Sequence, residues 1–123
     1  MGGVGPLILP VIADHADWWN IPSNYLSRYD ELRSMVGAAR VSVLQTVGFV
    51  ADEADRGRIT ETAERRFGQW EGSVVVGDVA ELTDYFAHLR ARGVERVYAW
   101  FTDGAAIDTI DRFGEVARSL AST

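Results

Sequence analysis

Hydrophobic and polar positions change period several times along the chain, and the longest regular stretch is a strand. Residues 40–50 alternate with a period of two, as in a half-buried strand. Bulky and smaller side chains separate onto its two faces: Val41, Val43, Val47 and Phe49 on one, and Ser42, Leu44, Thr46 and Gly48 on the other. This difference suits a strand whose bulky face meets helices while the other enters a crowded barrel interior.

Three further segments have strand character. Residues 18–21 and residues 96–101 are short and rich in aromatic or branched side chains, which favours strands. Residues 74–76 are all valine between two glycines. This run is as compatible with a buried connector as with a small strand.

Apolar residues at helical spacing predict helices between the strands. A first helix begins near Pro10 and ends before Asp17. The later helices are marked by these sets: Tyr25, Tyr29, Leu32 and Val36; Ile59, Ala63, Phe67 and Trp70; Val79, Leu82, Phe86 and Leu89; Ile107, Ile110, Phe113, Ala117 and Leu120.

Boundary residues fit these helices. Ser23 and Thr60 are candidate N-caps, and Asp78 with Glu81 resembles a capping box. Gly37 and Gly93 stand where a left-handed residue ends a helix. Strands that alternate with helices predict a single α/β domain over residues 1–123, with parallel pairing.

Composition narrows the classes of function. The 123 residues carry a net charge of −6, which argues against a nucleic-acid-binding surface. There is no cysteine, so disulfides and thiolate metal sites are excluded. The apolar stretch at residues 4–13 is too short for a membrane span and lacks the basic flank of a signal peptide. A cytoplasmic location is therefore the expectation.

The chain opens with a glycine-rich turn, Gly2-Gly3-Val4-Gly5-Pro6. A helix and then the strand with Trp18, Trp19 and Asn20 follow this turn. A glycine loop before a helix can present backbone N–H groups to a phosphate or a flavin-like ring, although such a turn is a weak signal by itself.

The order of these segments resembles the C-terminal part of the luciferase-like monooxygenases, closest to their deazaflavin-dependent branch. The matching segments are the glycine turn, the Ala-Asp-Trp-Trp-Asn strand at residues 16–20, the Gly-Asp pair at residues 77–78, and the final strand and helix. The resemblance implies an oxidoreductase that uses the deazaflavin coenzyme F-420, which is favoured, or FMN. It also implies a partial TIM (β/α)8 barrel of about three C-terminal βα units.

The resemblance implies site residues as well. Cofactor contacts would come from Gly2, Gly3, Gly5, Pro6, Asn20 and Ser23. Trp19, Trp100 and Thr102 would line the pocket of a small-molecule substrate, and no catalytic residue is assigned. The family often has a basic residue soon after Gly-Pro, whereas Leu7 follows here. This departure favours a second reading, a non-catalytic remnant or interaction module on the same scaffold.

A complete TIM barrel takes roughly 250 residues, so the resemblance predicts a truncated chain that holds part of the cofactor site. Strands with unpaired edges then predict a homo-oligomer, or a partner that supplies the missing strands.

Other candidate residues favour structural roles. His15 lies at a helix end beside Asp14 and Asp17, where a structural or solvated role is preferred over an acid–base one. His88 lies on a helix far from the strand ends and is interpreted as structural. Two histidines without carboxylates clustered on one face predict no metal site. Arg56 and Arg58 could reach a phosphate, but a solvated loop is the preferred reading. Aromatic residues on strands are more often core residues than pocket walls, and this expectation applies to Trp19 and Trp100.

Overall fold

The computed structural model describes residues 1–122, within which four strands and five α-helices alternate. The strands are β1 (Trp18–Pro22), β2 (Arg40–Phe49), β3 (Val74–Gly77) and β4 (Val94–Phe101). The α-helices are α1 (Ile8–His15), α2 (Tyr29–Arg33), α3 (Arg56–Phe67), α4 (Val79–Ala91) and α5 (Ile107–Ala121). Two 3₁₀ turns, Ser23–Arg28 and Glu53–Asp55, precede α2 and α3.

Strand β2 is the centre of the sheet, and all of its pairings are parallel. One edge of β2 pairs with β4 along residues 41–47. The other edge pairs with β1 along residues 40–44 and with β3 along residues 46–49. A ten-residue strand is about 33 Å long, so two short strands fit end to end along one edge.

The predicted partial barrel of about three βα units is therefore wrong. In such a unit series, each new strand pairs with the strand before it, whereas here β4 pairs with β2 and not with β3. Helix α3 also departs from the barrel plan, in which helices lie outside the sheet. A Cβ atom added to Gly48 would lie 3.0 Å from Cγ2 of Ile59 in α3, so α3 packs on the face opposite the valine core.

The core lies between the valine face of β2 and four of the helices. Val41, Val43 and Val47 are fully buried, as the alternating pattern predicts. The helices contribute buried side chains from one side each: Leu9 and Ile12 of α1, Leu32 of α2, Leu82, Phe86 and Leu89 of α4, and Val116 of α5. Burial of this apolar surface is the main favourable term in folding.

Several predicted boundaries are confirmed. Gly93 follows Arg92, the C-cap of α4, with a φ of +105°, which glycine adopts without strain. Gly37 also has a positive φ, +63°, but it lies beyond the end of α2, whose C-cap is Ser34. Asp78 and Glu81 form the predicted capping box at the start of α4. The valine run at residues 74–76 is a strand rather than a connector.

Other boundaries differ from the predictions. The single helix predicted around Tyr29 is divided into a 3₁₀ turn and the five-residue α2. Helix α3 begins at Arg56 rather than near Thr60, and it ends at Phe67. Trp70, predicted on its inner face, therefore lies beyond the helix and is 64% exposed. In α5, Ile107, Ile110 and Ala117 were predicted to face inward but are exposed, and the buried residue of this helix is Val116.

One fully buried polar residue marks the place where the partner of β2 changes. Gln45 lies between the β1 pairing, which ends at Leu44, and the β3 pairing, which begins at Thr46. Its Nε2 donates to the Thr46 carbonyl at 2.9 Å, and its Oε1 accepts a 2.6 Å hydrogen bond from the Tyr85 hydroxyl. These bonds satisfy an amide that would be costly to bury alone.

No helix within residues 1–122 combines the length and the apolar character that crossing a lipid bilayer requires.

Candidate functional site

The face of the sheet opposite the valine core carries two of the predicted site residues, Asn20 and Trp100. We call it the open face. Alternation along β1, β2 and β4 places these side chains on it: Trp18, Asn20, Ser42, Leu44, Thr46, Arg96, Tyr98 and Trp100. Trp100 is 61% exposed and Tyr98 is 49% exposed, whereas Ser42 at the centre is buried. The open face is thus an aromatic and polar surface accessible from solvent.

The glycine-rich segment lies along the free edge of β1. The Asn20 N–H donates to the Met1 carbonyl at 2.7 Å, and Gly2 forms a parallel bridge with Asn20. The indole Nε1 of Trp19 donates to the Gly3 carbonyl at 2.9 Å. Gly3 has a φ of +117°, a conformation that other residues rarely adopt. The segment is therefore fixed to the sheet by backbone and side-chain hydrogen bonds.

The remaining residues of that segment begin helix α1. The Gly5 carbonyl accepts hydrogen bonds from the N–H groups of Ile8 and Leu9, both at 3.2 Å. Pro6 lies in the turn between Gly5 and Ile8, and both Gly5 and Pro6 are exposed to solvent. These two predicted contact residues lie away from the open face. Leu7 beside them is 89% exposed, and its apolar side chain supplies no charge at that position.

Asn20 has a defined orientation on the open face. Its Oδ1 accepts a 2.9 Å hydrogen bond from the Ser42 hydroxyl. Nothing within residues 1–122 accepts a hydrogen bond from its Nδ2, which leaves a partly exposed amide donor. This is the kind of polar group that fixes the orientation of a small-molecule ligand.

Ser23 joins the carboxyl end of β1 to the segment before β3. Its hydroxyl donates to the Ser73 carbonyl at 3.4 Å, and its side chain is buried. The predicted N-cap role is not seen, because this hydroxyl points to Ser73 and not to the following helical turn. Gly72 approaches closely: a Cβ there would lie 3.0 Å from the Ser23 carbonyl oxygen.

The two predicted tryptophans have opposite environments. Trp19 is fully buried, and its ring stacks on Tyr29 with 6.3 Å between centroids. Trp100 lies on the open face beside Thr46, its partner in the strand register. Thr102 follows β4, and its N–H donates to the Val47 carbonyl at 3.0 Å. Of these three residues, only Trp100 offers a large side chain to a ligand.

A groove of about 230 Å³ lies over the open face beside the carboxyl end of β1 and the middle of β2. One wall comes from the end of α3 and the following turn, with Phe67 and Trp70. The floor comes from Leu44 and Thr46 of β2, and Ser23 closes one end. The chain leaves β1 toward the valine-core side and leaves β2 toward α3 on the opposite side.

Arginine and tryptophan side chains cluster at the other end of the open face. The guanidinium carbons of Arg40 and Arg96 lie 4.4 and 4.3 Å from the ring centroid of Trp18. Arg40 also pairs with Glu95 at 3.0 Å. Arg96 was not among the site residues predicted from the sequence. The period-two pattern of β4 could have placed it on the same face as Trp100, but its proximity to Trp18 depends on pairing across β2.

Three carboxylates that could hold a cation lie together outside this face, in Glu53, Asp78 and Glu81. The Arg56 guanidinium lies among them, 2.5 Å from Glu53 and Glu81 and 3.8 Å from Asp78. Hydrogen bonds from Arg56 lower the pKa values of Glu53 and Glu81. The arrangement is an ion-pair network that links α3 to the capping box of α4. Arg56 is thus engaged, rather than free in a solvated loop as predicted.

The two histidines lie outside the open face. His15 is in the last turn of α1, and the Nδ1 of His88 lies 3.1 Å from the Asp84 carbonyl within α4. A second, larger cavity of about 360 Å³ borders the free edge of β4. Its lining is mainly apolar and includes Val97, Ala99 and Phe113.

No protein-family model matches the chain, and a search of curated proteins finds no match.

Proposed function

We propose that this chain contributes the cofactor-binding part of a flavin- or deazaflavin-dependent oxidoreductase of the luciferase-like type, acting on a small molecule in the cytoplasm. The observation that carries the proposal is the open face, where exposed Tyr98 and Trp100 lie two strands from the Asn20 Nδ2 group, which has no acceptor within residues 1–122. A planar ring with polar edges matches an aromatic surface with a hydrogen-bond donor beside it.

The size of the groove indicates how such a ring would lie. A volume of about 230 Å³ is below the range of ordinary small-molecule sites, which is roughly 300–1,000 Å³. A flavin or deazaflavin would therefore extend from the groove across Thr46 toward Trp100. The Asn20 amide would bind its polar edge, and the fixed Gly2–Gly3 backbone would border it.

Within this proposal the chain binds, orients and shields the ring. The cofactor, when bound, supplies hydride transfer or oxygen activation. Among the described residues, the strand positions assigned to the open face hold no carboxylate or histidine, and the nearby Glu95 carboxylate is paired with Arg40. The chain therefore offers a binding surface rather than an acid–base pair. The coenzyme F-420 is favoured over FMN by the glycine turn and the Ala-Asp-Trp-Trp-Asn strand.

Titration of the purified chain with FMN and with coenzyme F-420 tests the proposal through cofactor fluorescence. Saturable binding is expected, weakened about 2- to 12-fold by Trp100→Ala, because an aromatic contact contributes roughly 0.5–1.5 kcal/mol. Ile107→Ala is the matched control, since Ile107 is equally apolar and 77% exposed but lies on α5. Absence of binding at high micromolar cofactor, with an intact circular dichroism spectrum, would refute the proposal.

A second candidate function is an interaction module without chemistry, and the free edge of β4 favours it. Within residues 1–122, strand β4 pairs with β2 alone, and a mainly apolar cavity borders its other edge. Unpaired strand edges readily pair with another chain. Self-association, or binding of a partner that supplies strands, would follow. Light scattering at several protein concentrations tests this, and a monomer at millimolar concentration would exclude self-association.

A further inference from the structure

A single row of polar groups crosses the open face. The bridge of Gly2 to Asn20, the pairing of Asn20 with Ser42 and the pairing of Ser42 with Arg96 place these four residues side by side. Neighbouring strands are about 4.8 Å apart, so Asn20 and Arg96 lie about 10 Å apart across β2. Both side chains can therefore approach one ligand on this face.

The orientations within this row favour an anion. The Ser42 hydroxyl occupies the only acceptor oxygen of the Asn20 side chain, so the amide presents its N–H groups. Arg96 contacts no carboxylate within residues 1–122; its only hydrogen-bond partner there is the Tyr98 hydroxyl at 3.4 Å. The row thus presents the N–H donors of Asn20 and the positive charge of Arg96, although the net charge of the chain is −6.

Trp18 holds the positive charge in place. Its ring lies within 4.4 Å of both the Arg96 and the Arg40 guanidinium carbons. A cation held over an aromatic face loses little further freedom when it binds a ligand. Glu95 neutralises Arg40 but not Arg96, so one guanidinium charge stays available. Planar guanidinium groups recognise phosphate and carboxylate oxygens through paired hydrogen bonds.

We propose that Arg96, with the Asn20 amide and the nearby Arg40, forms a binding site for a phosphate group on the open face. This site would supply the cation that is absent at Leu7. The identity of the ligand as a flavin phosphate rests on the proposed function, whereas the anion-binding geometry does not. Arg96 would then determine a preference for phosphorylated over unphosphorylated ligands.

Riboflavin and FMN differ only by the phosphate, so their comparison measures this preference. We expect FMN to bind about 3- to 10-fold more tightly, the range for a charge-assisted contact at a partly exposed site. Arg96→Gln should remove the difference, and Arg96→Lys should keep part of it. Arg118→Gln makes the same charge change on α5 and should leave the difference intact, since α5 packs on the opposite face.

A second arm uses inorganic phosphate with the unaltered chain and NMR detection of the Asn20 side-chain amide and the Arg96 Nε–H. Saturable shifts of both signals are expected. If both flavins bind equally, the anion site is refuted and the flavin proposal stands. If neither flavin binds but phosphate shifts these signals, the anion site stands and the flavin proposal fails. If phosphate shifts neither signal, the anion site is refuted.

Discussion

Replacing Trp19 by Phe tests whether the indole fastens the glycine-rich segment to the sheet. The substitution keeps an aromatic ring against Tyr29 but removes the hydrogen bond to the Gly3 carbonyl. Loss of that bond should cost about 0.5–1.5 kcal/mol. The smaller ring leaves a gap at a fully buried position, which adds about 1 kcal/mol. We therefore expect a decrease of about 2 kcal/mol in the free energy of unfolding.

A chain of 123 residues has a stability of roughly 6–18 kcal/mol, so the variant should still fold. Trp70→Phe is the matched control. Trp70 is 64% exposed, and its indole donates no hydrogen bond within residues 1–122, so the cost should be below about 0.5 kcal/mol.

Urea unfolding followed by far-ultraviolet circular dichroism measures both variants without relying on tryptophan fluorescence. Hydrogen exchange adds a local measurement, because the Asn20 N–H bonds the Met1 carbonyl beside the glycine segment. That amide should exchange faster in Trp19→Phe and not in Trp70→Phe. Equal stability of the two variants, or unchanged protection of Asn20, would refute the anchoring role.

Two further predictions concern polar contacts made across the fold. Tyr85→Phe should lower the free energy of unfolding by about 1–3 kcal/mol, because it leaves the buried Gln45 Oε1 without a donor. Adding Gln45→Leu should recover part of that loss. Strictly additive losses in urea titrations would contradict the coupling between the two residues. Arg56 lowers the pKa values of Glu53 and Glu81 below their usual 4.5, so the stability they contribute is present above that pH and lost as the pH falls through the folded-state values. Thermal unfolding between about pH 6 and pH 3 should therefore show a larger loss for the wild type than for Arg56→Gln, and parallel profiles would disprove this linkage.

Local features of this fold are readable from the sequence because they depend on neighbours along the chain. The capping box of Asp78 and Glu81 requires two residues three positions apart, and both hydrogen bonds form. Gly93 directly follows the C-cap of α4, where glycine adopts a positive φ without strain. The alternation in β2 identifies its buried valine face for the same reason.

The candidate site is only partly predictable. Gly2, Gly3 and Asn20 do lie together, since the segment at the start of the chain pairs with β1. Trp19 and Trp100 both lie on short strands predicted from the sequence, yet Trp19 is in the core and Trp100 is exposed. The alternating pattern predicts which residues share a face of the sheet, but it does not predict whether a helix covers that face.

Local sequence patterns were sufficient to predict the alternation of strands and helices, the two ends of α4 and the valine face of the central strand. Tertiary structure alone decided that β1 and β3 share one edge of β2, that α3 packs against Gly48, and that Arg96 lies over Trp18. The physical reason is range. Propensity and capping act over a few residues, whereas strand order and helix side are set by contacts between residues far apart in the chain, which compete with one another for the same surfaces.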